Sequence, residues 1–164
     1  HLELLKWAKE EGCPWDANTC ACAALGGHLE LLRWARQEGG CDWDENTCAG
    51  AAMGGHWEIM RWARREGCTW HANTCAGAAV GGQLELLRWL RKEGCPWDEK
   101  TCSSAARVGN MDILKWARQH GCPWDEHTCS SAARAGHLDI LEWARQGGCP
   151  EFEEEEDDSD WSDV

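Results

Sequence analysis

Along residues 28–38 the apolar positions Leu29, Leu32, Trp34 and Ala35 recur near i, i+3 and i+5 to i+6, with charged residues between them. That spacing wraps a broad apolar stripe around a helix and predicts an amphipathic helix from about His28 to Glu38. Gly39 stands where a left-handed residue is expected to end it. The preceding stretch has a different texture. Thr19 to Leu25 is a run of small residues, which predicts a slim helix closed by Gly26-Gly27. Small side chains let neighbouring helices approach closely. Asp16 is placed to cap this first helix by accepting from its free first-turn amides. Trp15 and Cys20 then occupy the two positions of a hydrophobic staple.

The same pattern returns along the chain. Trp7, Trp34, Trp62, Trp89, Trp116 and Trp143 are separated by 27, 28, 27, 27 and 27 residues, and the pair Gly39-Gly40 supplies the extra one. A second series at Trp15, Trp43, Trp70, Trp97 and Trp124 keeps this step, as do the cysteine pairs 13/20, 41/48, 68/75, 95/102 and 122/129. A hairpin of two short helices cannot bury its own apolar face, so the units must stack. The expectation is an all-α, helical tandem-repeat solenoid of helix-turn-helix units over residues 1–150, with six second helices but five first helices. Because His1 enters in mid-unit, an apolar stacking face is expected at that end, with a cap or further repeats upstream.

The stretch from Thr19 through Ala23-Ala24-Leu25-Gly26-Gly27-His28-Leu29-Glu30 to Gly39 resembles the ankyrin repeat, most closely at the Ala-Ala-x-x-Gly-His step of residues 23–28, 51–56 and 132–137. The resemblance implies a protein-binding scaffold. The chain departs from that family in lacking the Thr-Pro-Leu-His signature and in a period of 27 against about 33. The shortfall lies between each Gly-Cys and the next Thr, so projecting hairpin fingers are not expected.

Composition and charge change this picture little. The net charge of −13 is concentrated in residues 151–164, which hold nine acidic side chains and no basic one, leaving the repeats near balance at −4. The segment is expected to be a disordered, solubilising acidic tail. Thirteen of the sixteen bases fall on second helices, in rows such as Arg33, Arg61, Arg88, Lys115 and Arg36, Arg64, Arg91, Arg118. A basic stripe suits phosphates, but Glu30, Glu58, Glu85 and Asp112 stand beside it, so no nucleic-acid partner is expected. The staple tryptophans could form a stacking ladder for bases or sugars; packing is the preferred reading. No run approaches a membrane span and nothing resembles a signal peptide.

Twelve cysteines raise metal and disulfide readings. The Cys-x6-Cys spacing is unlike zinc knuckles, and equivalent atoms in stacked units should lie about 8–10 Å apart, so the cysteines read as small buried hydrophobes. A within-unit disulfide such as Cys13–Cys20 stays open, as does a ligand set Cys68, His71 and Cys75. Enzyme chemistry finds no nucleophile with an attendant base and no phosphate-cradling loop, and His28, His56 and His137 repeat with the unit and read as structural.

Function should then sit where otherwise identical units differ. Those positions are the residues beside the caps, Asn18, Asn46, Asn73, Lys100 and His127, and the first-helix ends Leu25, Met53, Val80, Arg107 and Arg134. The reading is a non-enzymatic, cofactor-free protein-interaction module, monomeric and intracellular, cytoplasmic or nuclear, whose partner contacts Asn18, Asn46, Asn73, Lys100, His127, Arg107 and Arg134. A passive spacer within a larger protein and a metal or redox cysteine protein are the alternatives.

Overall fold

A computed structural model describes residues 2–13, 16–40, 42 and 44–150, with backbone alone at 2 and 5. The tail at 151–164 and the positions Trp15, Cys41 and Trp43 lie outside the described residues.

Eleven α-helices and no strand occur among the described residues: α1 (Leu2–Glu10), α2 (Ala17–Leu25), α3 (Leu29–Gln37), α4 (Glu45–Met53), α5 (Trp57–Arg65), α6 (Ala72–Val80), α7 (Leu84–Lys92), α8 (Glu99–Arg107), α9 (Met111–Gln119), α10 (Glu126–Ala135) and α11 (Leu138–Gln146). The even-numbered helices are the slim ones. They stack on one another in sequence, α2 on α4 on α6 on α8 on α10, and each also packs against the odd-numbered helix that follows it. The chain is thus a helical repeat solenoid of stacked hairpins.

The slim helices start where an aspartate accepts from the first turn. Asp44 Oδ1 takes the N–H groups of Asn46 at 2.9 Å and Thr47 at 3.3 Å, and Asp16, Asp98 and Asp125 do likewise in their units. His71 occupies the same position before α6 and makes no side-chain cap bond. Close stacking follows from residue size. A Cβ added at Gly50 would sit 2.7 Å from the Ala21 carbonyl oxygen, and one at Gly77 2.5 Å from that of Ala49, so two glycines in helix interiors exist to let backbones touch.

The core lies between the two rows. Ala51 and Ala52 of α4 meet Ile59, Met60 and Ala63 of α5, and Leu86, Leu87 and Leu90 repeat the layer in α7, all at most 2% exposed. Each fully buried Leu or Ile contributes about 1.5–3 kcal/mol. At the other rim of the odd helices α3 carries the ion pair Arg33–Glu30 at 3.3 Å, and α7 carries Arg88–Glu85 at 3.6 Å. In α1, Leu4 is 61% and Trp7 56% exposed.

Second helices end in a left-handed glycine. Gly94 has φ +83°, its N–H bonds the Arg91 carbonyl at 3.1 Å, and the Cys95 N–H reaches back to Leu90 at 2.9 Å. These are the paired bonds of a Schellman turn. In the longer unit the expectation for Gly39 is corrected: Gly40, not Gly39, has positive φ, at +62°. The inserted residue moves the left-handed position one step along, and a Cβ on Gly39 would press to 2.7 Å on the Ala35 carbonyl oxygen.

Candidate functional site

The residues expected to meet a partner fall at two levels of the slim-helix row. Asn18, Asn46, Lys100 and His127 are exposed, each two residues after its cap, while Asn73 in the same register is half-buried. Two of them share in capping: Asn46 Nδ2 donates to Asp44 Oδ2 at 2.9 Å, and Asn18 Nδ2 to Asp16 Oδ2 at 3.4 Å. At the far end of the slim helices Leu25, Arg107 and Arg134 are exposed, and Met53 and Val80 half-buried. Arg134 is held along its own helix, donating from Nε to the Ser130 carbonyl at 3.4 Å and from Nη2 to the Ser130 hydroxyl at 3.3 Å. The structure therefore puts all seven on one row of helices, in two parallel lines rather than one cluster.

The histidines after the glycine turns link neighbouring units. His56 Nε2 lies 2.9 Å from the Leu25 carbonyl oxygen, and a Cβ on Gly27 would fall 2.6 Å from the His56 ring; His137 stands over Gly109 in the same way. They are packing residues, in agreement with their periodic occurrence.

The tryptophans and bases interleave. Trp97 makes an edge contact with Trp116 at 5.7 Å between ring centroids, and the Arg91 guanidinium of the preceding unit lies 4.1 Å from the Trp97 ring centroid. Trp124 repeats this with Trp143 and Arg118, and Trp70 with Trp89 and Arg64. Trp70, Trp97 and Trp124 are thus wedges between successive second helices, and Arg64, Arg91 and Arg118 of one basic row are engaged with aromatic faces at about 0.5–1 kcal/mol per contact. Helical periodicity located both rows, but their meeting depends on how far one hairpin is rotated on the next.

The cysteines pair in a way that the sequence spacing did not suggest. Cys48 lies beside Cys68, Cys75 beside Cys95, Cys102 beside Cys122 and Cys129 beside Cys149, near enough for the two thiols of each pair to act on one another, each pair twenty residues apart and almost wholly buried. One member comes from the first turn of a slim helix and the other from the Schellman turn that closes the same hairpin. The expected candidates are corrected accordingly. Cys68 and Cys75 belong to different pairs, and His71 points its Nδ1 to Glu45 at 3.4 Å, so Cys68, His71 and Cys75 form no common site. Cys13 is exposed while Cys20 is buried, and in the described units the first-turn cysteine meets the one that follows it by twenty residues, not the one seven before.

Within a pair the two thiols are unequal. The interaction with its partner thiol, then burial, pushes Cys48, Cys75 and Cys102 well above the ordinary thiol range, whereas the same interaction holds Cys68 and Cys95 below it. Burial, then the interaction with Cys129, raises Cys149 to about 12. Beside three of the pairs stands a base: Arg64 acts on Cys48, Arg91 on Cys75 and Arg118 on Cys102. Arg91 and Arg118 also donate to the carbonyls of Cys95 and Cys122.

No helix among the described residues is long and apolar enough to cross a membrane. Compared with known proteins, the chain matches no family model and no curated protein sequence.

Proposed function

We propose that this array is a protein-interaction module of ankyrin-like design, docking an extended segment of a partner protein along the slim-helix row. The observation that carries the reading is the contrast between uniform and variable positions. Ala23, Ala51, Ala78, Ala105 and Ala132 are buried in all five slim helices and constant. The exposed positions around them change from unit to unit, from Asn to Lys and His beside the caps and from Leu to Arg at the helix ends. Packing demands identity at the first set and leaves the second free for recognition. A rigid stack presents those positions at fixed spacing, so binding orders little of the module and affinity is not spent on it.

Two features support the family likeness: the slim helices carry most of the unit-to-unit stacking, and a glycine turn separates the two helices of every unit. The connectors at residues 66–71, 93–98 and 120–125 form no strand, so recognition rests on helix surface and cap residues rather than on fingers.

The test is charge reversal on the row. Lys100→Glu, Arg107→Glu and Arg134→Glu together should abolish capture of a partner isolated with the unaltered chain, with no change in thermal melt. Capture that survives the triple variant refutes this edge. A chain that captures nothing in any cellular extract is the outcome expected of a passive spacer.

A further inference from the structure

We propose that each buried cysteine pair is a two-sulfur site for a soft d10 monovalent cation, Cu(I) being the natural case. The Cys75–Cys95 pair shows how the fold builds it. The Schellman turn after α7 fixes Cys95 through its own N–H, and its Sγ lies 3.6 Å from the carbonyl of His71, the cap residue of α6. Cys75 stands four residues past that cap, on the first turn above the same carbonyl. Two independent local motifs thus bring two sulfurs to one point. The geometry recurs with Cys68 Sγ at 3.8 Å from Asp44 O, Cys122 Sγ at 3.4 Å from Asp98 O and Cys149 Sγ at 3.3 Å from Asp125 O.

A second observation asks for an anion in the same place. Thr47, Thr74, Thr101 and Thr128 are fully buried, and their hydroxyls have no hydrogen-bond partner. Each directly precedes the slim-helix cysteine of its pair, and the Thr74 hydroxyl faces the Cys95 sulfur, to which it donates once that sulfur is ionised. A buried donor left unpaired four times over is costly unless its acceptor forms with the bound state. The neighbouring guanidinium adds positive charge at the same point. A neutral disulfide would need neither group.

The ligand count selects the cation. No group of three or more His, Cys, Asp or Glu converges among the described residues, which fails the four-ligand demand of zinc. Thiolates suit Cu(I), and two of them complete a linear coordination. On loading, two S–H bonds break, two Cu–S bonds form and two protons pass to solvent, with no electron transferred. The resulting dithiolate complex carries one negative charge, matched by the Thr hydroxyl and, at three of the four pairs, by the adjacent Arg.

The experiment uses the full reduced chain with the exposed Cys13 and Cys22 replaced by Ser, titrated anaerobically with Cu(I) against a competing chelator and read by native mass spectrometry. Cys75→Ser, Cys95→Ser and the double variant should each lose one bound ion, the double no more than either single. Thr74→Val should weaken that ion's retention about tenfold while the fold and the other ions persist. Loss of two ions from the double variant, or unchanged stoichiometry in all three, overturns the pairing. Should a serine variant fail to fold, X-ray absorption on the background chain decides: two sulfur neighbours per copper are expected, and three or more, or nitrogen and oxygen neighbours, overturn the site.

Discussion

Gly81→Ala tests the close stacking of the slim helices at its tightest point. Gly81 caps α6 with φ −76°, a conformation that alanine adopts freely, so backbone strain is not at issue. Space is. A Cβ there would lie 1.9 Å from the Met53 carbonyl oxygen and 2.8 Å from its carbon, against an ordinary contact of 3.4–4 Å. The obstacle is backbone, so α6 must part from α4 by about 1.5 Å at that end, which places the cost near the upper end of the 1–3 kcal/mol typical of overpacking. Reduced freedom of the unfolded chain offsets about 0.4–1 kcal/mol. The net loss should be about 2 kcal/mol, seen in urea unfolding as a midpoint lowered by about 1 M at unchanged slope. Gly94→Ala is the control: nothing lies within 4 Å of its added Cβ, but φ is +83°, so only left-handed strain of about 1–2 kcal/mol applies. The natural residues at the equivalent position in the last two units, Val108 and Ala135, carry a Cβ and are exposed, so the tight approach is confined to the earlier units. A Gly81→Ala chain as stable as the original would refute the close-contact account.

Further outcomes follow from the same contacts. Leu87→Ala, at a site with no exposed surface, should lose about 2–5 kcal/mol in the same assay. His71→Asp should gain about 1 kcal/mol by restoring the cap that Asp44 and Asp98 supply elsewhere, while Asp98→Ala should lose a similar amount. Stability should also fall in alkali. The Cys149 thiol is raised from 9.0 to about 12, so its contribution is complete below pH 9, where both states are protonated, and is lost as pH rises from about 9 to about 12. Cys149→Ala should flatten that part of the curve of melting temperature against pH. Arg91→Ala should remove the cation over Trp97 and blue- or red-shift its fluorescence, at a stability loss of about 0.5–1 kcal/mol.

The repeat, the two helices of each unit and the aspartate caps were legible because each depends on neighbours a few residues apart. Thr19 to Leu25 shows smallness, Leu29 to Ala35 shows a 3.6-residue stripe, and Asp16 shows a cap, all within one unit. Contacts that cross from one element to another were not. The seven-residue spacing of Cys68 and Cys75 points within one connector and helix start, whereas the Schellman turn carries Cys68, Cys95, Cys122 and Cys149 back onto the first turn of their own hairpins twenty residues upstream. The same holds for Trp97, placed as a staple over its own helix start but held between Trp116 and Arg91. Of the interaction positions, exposure at Lys100, His127, Arg107 and Arg134 was legible from their variability, while the half-burial of Asn73 depends on its neighbours in the stack.

The most direct test of the interaction edge is site-specific photocrosslinking to a captured partner. A photoreactive residue is placed in turn at Lys100 and Arg107 on the slim-helix row and at Arg65 and Lys92 at the exposed ends of second helices. Crosslinks from Lys100 and Arg107 alone are the predicted result. Crosslinks from Arg65 and Lys92, with none from the slim-helix row, would contradict it and move recognition to the opposite face of the stack.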